Sequence, residues 1–225
     1  MVRCIQLAKA NHQADNTASS FPQWLAFANY NIETGADRLL HPLDRALALH
    51  CSPALAGIKA GNLVSLNRSA IPELDGRLDA YRQILAQCGI AFEILCDCEQ
   101  RVLLLVYRPA LLACSLARPE ARRILSEAGY PDGGVEELLT HLKRRLAGRQ
   151  EFPHEIGLFL DYPPADVEGF LRWGGRGCKL CGHWKVYSDV EGASRLFRKY
   201  DRCREILCRR LSHGLTIPQV LLAAS

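Results

Sequence analysis

The sequence AFEILCDCEQRVLLLVYR, residues 91–108, decides the fold. Two apolar runs, 91–96 and 101–107, flank the polar tetrapeptide DCEQ, and this pattern predicts a β-hairpin. The second run is apolar on both faces of a strand, which is typical of a central strand covered on both sides. We therefore expect a small antiparallel sheet with helices packed against each of its faces.

The segments on either side of this hairpin add one short strand and a series of helices. Leu63–Leu66 predicts a strand, and proline or glycine residues mark several helix ends. The C-terminal third adds a short strand at 183–187 and a long amphipathic helix. The fold class is α+β, mostly helical, with a small antiparallel sheet. The expected helices are 44–50, 72–88, 109–117, 119–128, 135–147, 153–160, 164–173 and 190–211.

The chain of 225 residues is long enough to bury a substantial core. Residues 1–20 are polar with few large apolar side chains, which predicts a loose N-terminal tail. No Pro/Ser-rich linker interrupts the remainder. We therefore expect one α+β domain over residues 21–225, with a helical C-terminal part at 152–225.

Composition and local sequence also bear on the compartment. The N-terminus lacks the apolar core of a secretory signal, and Arg108-Pro109 interrupts the most apolar stretch, residues 102–117. These observations predict a cytoplasmic protein without a membrane partner, monomeric or weakly dimeric. In that compartment the ten cysteines are expected to be reduced.

Positive charge is concentrated near the C-terminus. Residues 171–211 hold eleven Lys or Arg against four acids, whereas the net charge of the whole chain is only +4. On the long helix the basic residues share one face, which we interpret as a solvated surface. Residues 153–173 resemble a helix-turn-helix, but Tyr162-Pro163 in the turn and Asp166 in the second helix disfavour DNA binding. The basic helix-face residues are Arg195, Arg198, Lys199, Arg202, Arg209 and Arg210.

Cys178 and Cys181, with His183 nearby, have the spacing of half a zinc site. A complete site needs a fourth ligand, and the candidates Cys203 and Cys208 lie about 140° apart around the long helix. The two cannot both complete the site. The sequence therefore favours a reduced, structural pair over a metal site.

Two other groups of polar residues are candidates for chemistry. Cys51 beside His50, and His154-Glu155 at the start of a helix, could supply a nucleophile or a base. For His50-Cys51 a structural role is favoured, because neighbours in sequence usually point in different directions, and His154-Glu155 is equally an ordinary first turn of a helix. Four residues from separate segments could converge on an anion: Lys59, Arg108, Lys185 and Tyr187.

We hypothesise that most of these candidates meet in one polar cleft, because they lie in segments rich in Gly and Pro. The alternative is that these segments only form turns around the core. The residues of this cleft would be His50, Cys51, Lys59, His154, Glu155, Lys185 and Tyr187. The chain contains no GxGxxG, GxxxxGK[ST], GxSxG or HExxH motif. The enzyme classes that depend on those motifs are therefore not indicated, and no cofactor is identified.

Three segments carry a resemblance to a known family: HCSPALAGIK (50–59), HEIGLFLDYPPADVEGF (154–170) and GHWKVYSDVEGA (182–193). They resemble domain of unknown function 3793, a family found largely in anaerobic bacteria. The resemblance implies a small-ligand- or metal-linked binding or accessory protein in anaerobic redox or metal metabolism, and it supplies no catalytic residues. Two alternatives remain: an enzyme that uses Cys51 or His154, and a nucleic-acid-associated regulator that uses the basic helix 190–211.

Overall fold

The structure, a computed structural model, describes residues 40–148 and 152–223. The expected N-terminal tail, residues 1–20, lies outside the described residues. The elements in chain order are α1 (Pro42–Leu55), β1 (Gly61–Asn67), a 3₁₀ turn (Arg68–Ala70), α2 (Leu74–Ala86), β2 (Ala91–Asp97), β3 (Arg101–Tyr107), α3 (Pro109–Leu116), α4 (Pro119–Glu127), α5 (Val135–Ala147), α6 (Ile156–Phe159), α7 (Pro164–Trp173), β4 (Leu180–Cys181), β5 (Lys185–Val186), α8 (Val190–Ser212) and α9 (Ile217–Leu222).

The main sheet has three antiparallel strands in the order β1-β3-β2. The strand β3 pairs with both neighbours, so Leu105 lies opposite Leu63 on one side and Glu93 on the other. The β2–β3 pairing shifts register between Ile94 and Cys96, where the strand bulges. The α+β class and the central position of the second hairpin strand are confirmed.

The alternating side chains of β3 enter two separate cores. Val102, Leu104 and Val106 pack with α1, α2 and the C-terminal part of the chain, including Leu211. Leu103, Leu105 and Tyr107 face the other side and pack with residues from α3 to α7. Helices therefore cover the sheet on both faces, as the apolar pattern of this strand predicts.

A third, smaller cluster joins the β4–β5 hairpin to α8 through Trp184, Val186, Ala193 and Tyr200. The expected strand at 183–187 is in fact shorter. Only Lys185–Val186 is extended, and it pairs with Leu180–Cys181 in a separate two-stranded sheet. The six basic residues of α8 that the sequence places on one face are all exposed, as expected.

The helix α1 extends past the predicted end at His50 and includes Pro53. A proline inside a helix removes one backbone hydrogen bond and distorts the turn before it. The N–H of Ala54, the residue after Pro53, is paired by a side chain, because Oδ1 of Asn62 accepts its hydrogen bond over 3.0 Å. This bond also explains why an asparagine of β1 is buried.

Other element ends differ from the sequence prediction for identifiable reasons. The helix expected from Pro72 begins at Leu74, because Glu73 adopts a left-handed conformation with φ of +54°. The helix expected at 153–160 has only one turn, Ile156–Phe159, and Asp161 after it also has positive φ. The strand expected at 63–66 extends over Gly61–Asn67.

The C-terminal helix α9 is absent from the sequence prediction. Thr216 and Gln219 form a capping box at its start. In addition, Asp44 of α1 accepts a hydrogen bond from the N–H of Ile217 over 2.9 Å, and α9 packs on the first core through this contact. Within residues 40–148 and 152–223, no helix combines the length and the apolar character that a membrane span requires.

Candidate functional site

Lys59 lies in the turn between α1 and β1, and it is only 3% exposed. Its Nζ is 5.0 Å from the ring centroid of Tyr162 and 5.4 Å from that of Tyr200. Both distances are within the range of a cation–π interaction. Across the part of the chain that the structure describes, no hydrogen bond and no ion pair reaches this amine. A lysine this far buried without such a partner is uncommon, and perturbed groups of this kind are concentrated at functional sites.

Burial lowers the pKa of Lys59 to about 8, and the negative charge of Asp161 opposes this effect. A lysine with this pKa is neutral in about a tenth of the molecules at pH 7, about 200-fold more than an exposed lysine. The buried thiol of Cys51 is close enough to interact electrostatically with the same amine. Lys59 therefore provides an amine that is available as a neutral donor or nucleophile.

Asp161 follows α6 and has a φ of +57°, which is uncommon for a residue other than glycine. Its Oδ2 accepts the N–H of Ala60 over 3.1 Å, and its Oδ1 accepts the hydroxyl of Ser115 over 2.8 Å. A guanidinium nitrogen of Arg118 is 3.8 Å from the same Oδ1. These contacts fix the carboxylate next to the turn that carries Lys59, and strain of this kind is concentrated at functional sites.

Aromatic rings surround the amine. The ring of Tyr162 stacks on Trp184 with centroids 5.2 Å apart, and its hydroxyl donates to the carbonyl oxygen of His183 over 3.2 Å. His183 contacts the edge of Tyr200 at 5.4 Å. Burial raises the pKa of Tyr162 to about 12 and also raises that of Tyr200. Both phenols are therefore neutral at physiological pH.

The imidazole of His183 is partly exposed and faces Asp201 of α8. Its Nε2 is 3.2 Å from Oδ1 of Asp201. Burial lowers the pKa of His183, although Asp201 acts in the opposite direction. The ring is therefore mainly neutral at pH 7, and it adds little positive charge beside Lys59.

Asp166 of α7 holds the segment that carries these aromatic residues, although it is only 2% exposed. Its Oδ2 accepts the indole N–H of Trp184 over 2.7 Å. Its Oδ1 accepts the backbone N–H groups of Tyr187 and Ser188 and the Ser188 hydroxyl, each over 2.8 Å. Four donors to one buried carboxylate orient the β4–β5 hairpin against α7.

Arg108, one of the residues expected to contact an anion, instead binds backbone carbonyl groups. Its guanidinium donates to the carbonyl oxygens of Ala54, Leu55 and Cys88 over 2.6–3.0 Å. Two of these carbonyls lie in the last turn of α1, where such groups lack helical partners. Arg108 therefore stabilises the end of α1 just before Lys59.

Glu155 and His154 lie in different environments although they are adjacent. Glu155 is 2% exposed, and its Oε1 accepts a hydrogen bond from Tyr130 and pairs with Nε of Arg145, each at 3.0 Å. The ring of His154 is 4.8 Å from that of Phe170. Lys185 approaches the same ring of Phe170, and its amine donates to the carbonyl oxygen of Gly175 over 2.7 Å.

Cys51 is fully buried in the first core, whereas His50 before it is partly exposed. Burial strongly raises the pKa of Cys51, and Lys59 only partly offsets this. The thiolate, which is the reactive form of cysteine, is therefore scarce at physiological pH. This environment is typical of a structural cysteine.

The candidate metal ligands lie around the β4–β5 hairpin. Within the described ranges, no three His, Cys, Asp or Glu side chains are arranged to hold a metal ion. Cys178 and Cys181 interact electrostatically with Tyr187. The hydroxyl of Tyr187 is buried and has no hydrogen-bond partner among the described residues.

The structure brings together only part of the set that the sequence groups in one cleft. Cys51 and Lys59 are neighbours, and His154 and Lys185 share Phe170. In the described part of the chain, no hydrogen bond or ion pair links Lys59 to Glu155, Lys185 or Tyr187. The common cleft stays a prediction.

Sequence reasoning missed the partners of Lys59. The sequence predicts that Tyr162 lies in a turn and Asp166 near the start of a helix, and it does not mark Asp161, Trp184 or Tyr200 as site residues. Dense aromatic and acidic residues in 161–166 and 183–187 were the available signal. Contact with Lys59 requires the tertiary fold.

Comparison with known proteins identifies a family. No curated protein and no solved structure matches the chain. The family described as protein of unknown function (DUF3793) matches residues 47–221, a range that includes Lys59, Asp161, Tyr162, His183 and Tyr200. The chain belongs to this family.

Proposed function

We propose that the protein binds a small organic ligand at the site formed by Lys59, Asp161, Tyr162, His183 and Tyr200. The main support is the buried amine of Lys59, which has no hydrogen-bond or ion-pair partner among residues 40–148 and 152–223. An acceptor beside this amine would pair N–H donors that no described residue takes up. The ligand would supply that acceptor as a carboxylate, phosphate or carbonyl oxygen.

The surroundings of the amine favour a small ligand with an apolar part. Tyr162 and Tyr200 provide flat apolar faces, while Asp161 and His183 provide polar groups. Small-molecule sites usually combine mainly apolar walls with a few oriented polar groups. The side chains of Asp161 and His183 are 22% and 28% exposed, so solvent reaches this part of the site.

The other functions that the sequence suggests have weaker support. An enzyme that uses Cys51 as nucleophile would require a thiolate, which the burial of this residue disfavours. A metal-linked role would require a ligand set that the described residues do not assemble. The exposed basic face of α8 is compatible with polyanion binding, but acidic residues pair with part of it through Arg195 and Arg202.

A thermal-shift screen tests the proposed function. Acetate, succinate, pyruvate, L-lactate and inorganic phosphate are titrated into the wild-type protein, Lys59→Met and Lys199→Met. Lys199 is exposed on α8 and serves as the matched control. We expect at least one probe to raise the melting temperature of the wild type and of Lys199→Met, and not of Lys59→Met. The proposal fails if no probe acts, or if Lys59→Met responds as the wild type does.

A further inference from the structure

The environment of Lys59 also bears on the chemistry of the ligand. A site that only binds an anion needs a side chain that stays positively charged. Arginine meets this need better than lysine, because its guanidinium does not lose its proton. A buried lysine differs, because desolvation makes its neutral form accessible and its nitrogen lone pair can then react. In the neutral form of Lys59, no hydrogen bond from the described residues occupies the nitrogen lone pair.

We propose that Lys59 forms a reversible imine with a small carbonyl compound, an aldehyde or a 2-oxo acid, bound beside the rings of Tyr162 and Tyr200. This inference rests on the proposed function, because it assigns a ligand class to the same site. The arrangement combines a buried amine, two flat apolar walls and a fixed carboxylate at Asp161. The neighbouring thiol of Cys51 does not compete as a nucleophile, because it is protonated.

The step balances without an oxidant or a reductant. The neutral amine nitrogen of Lys59 attacks the carbonyl carbon, and the C=O π electrons move to the oxygen, which takes up a proton. The carbinolamine nitrogen then expels this oxygen as water and loses its remaining proton to form the C=N bond. Solvent water carries the nitrogen protons to the departing oxygen, and the negative charge of Asp161 favours the positively charged intermediates at this nitrogen.

The low number of lysines makes the inference testable at single-residue resolution. The chain has six lysines: Lys9, Lys59, Lys143, Lys179, Lys185 and Lys199. The folded wild-type protein is incubated with pyruvate and sodium cyanoborohydride, digested and analysed by mass spectrometry. We expect the reduced adduct at Lys59 to exceed that at each other lysine by about tenfold or more, because an exposed amine is far less often neutral.

The pH dependence of labelling adds a second readout. Labelling at Lys59 should reach half of its maximum near pH 8, whereas labelling at exposed lysines should still be rising at pH 9–10. Lys59→Arg keeps the charge and cannot form an imine, and Lys143→Arg is the matched control at a partly exposed ion pair with Glu93. Circular dichroism checks that Lys59→Arg is folded, and a wild-type reaction in urea confirms that all six lysines can be labelled.

L-Lactate separates this inference from the proposed function, because it has the size and charge of pyruvate and no carbonyl carbon to attack. Protection of Lys59 by lactate, together with selective trapping by pyruvate, supports both. Lys59-dependent thermal shifts with both acids and no selective adduct overturn the imine and leave ligand binding intact. Equal labelling of all lysines without any thermal shift overturns both.

Discussion

Trp184 donates its indole N–H to the buried carboxylate of Asp166 over 2.7 Å, and this bond joins the β4–β5 hairpin to α7. The same indole stacks on Tyr162, which forms one wall around Lys59. The position of Trp184 therefore depends on a residue that does not contact the amine. Asp166 acts on the candidate site as a positioning residue.

Replacing Asp166 by Asn should destabilise the protein by about 2–4 kcal/mol. The amide would place two donors where the carboxylate accepts four hydrogen bonds, and buried donors would be left unpaired. Urea unfolding followed by circular dichroism measures the change. The control is Asp132→Asn, whose carboxylate is fully exposed and should change stability by less than about 0.5 kcal/mol. Equal effects of the two substitutions would contradict the positioning role.

Replacing Lys59 by Met should stabilise the protein at pH 7 by roughly 2–3 kcal/mol, because it removes the desolvation cost of a buried charge. The pKa of Lys59 is about 8 in the folded state against 10.5 as the ordinary value. The unfolded chain therefore binds more protons between these values, and the contribution of Lys59 to stability rises with pH through this window. Below pH 8 the full cost is present.

The lowered pKa of Lys59 is tested most directly by the pH dependence of this stability difference. The stability difference between Lys59→Met and the wild type should shrink by about 1 kcal/mol from pH 7 to pH 9. Comparing the two proteins cancels the contribution of the cysteines and tyrosines that ionise in the same range. Lys199→Met should match the wild type at both pH values, whereas a pH-independent effect of Lys59→Met would count against a lowered pKa.

Gly61 should not tolerate a side chain. A Cβ added at this residue would lie 2.4 Å from the carbonyl oxygen of Phe159, a backbone atom that cannot move aside by rotation. Gly61→Ala should therefore cost about 2–4 kcal/mol in an unfolding experiment. Gly76→Ala is the control, because nothing lies within 4 Å of its added Cβ and alanine favours the helix α2 by up to about 1 kcal/mol. A neutral Gly61→Ala would show that α6 does not approach β1 so closely.

The described region should unfold as one cooperative unit, in agreement with the single domain expected from the sequence. The C-terminal half contributes Leu211 and Ile217 to one core and Leu158 and Phe159 to the other. Loss of this half would therefore expose both faces of the sheet. Far-ultraviolet circular dichroism and tryptophan fluorescence should give coincident urea transitions. Two separate transitions, or a stable isolated piece after cleavage near Gly148, would contradict the expectation.

The sheet could be predicted from sequence because its signal is local. The alternation and apolar content of residues 91–107 identify both strands and the buried position of the second. The end of α1 could not be predicted in this way. Pro53 argues for a stop, and the side chain that accepts the N–H of Ala54 after it is Asn62, which belongs to the next element.

The candidate site could be predicted only in part for a similar reason. Lys59 stands out in the sequence, but its burial depends on Tyr162 and Tyr200, which are more than one hundred positions later. The positive φ of Asp161 could not be predicted, because the usual sequence signal for this conformation is a glycine. Arg108 illustrates the converse, since a cation that looks available for a ligand in fact binds three backbone carbonyls.

The hydrogen bond between Asp44 and Ile217 joins two residues 173 positions apart, near the two ends of the described fold. The two ends of the described fold are therefore close in space. Proteins with this property usually tolerate a change in the order of their elements along the chain. A circular permutant that links residues 40 and 223 through a short flexible peptide and opens in the loop 131–134 would keep every contact around Lys59. Such a permutant would allow the candidate site to be inserted into another protein through a surface loop.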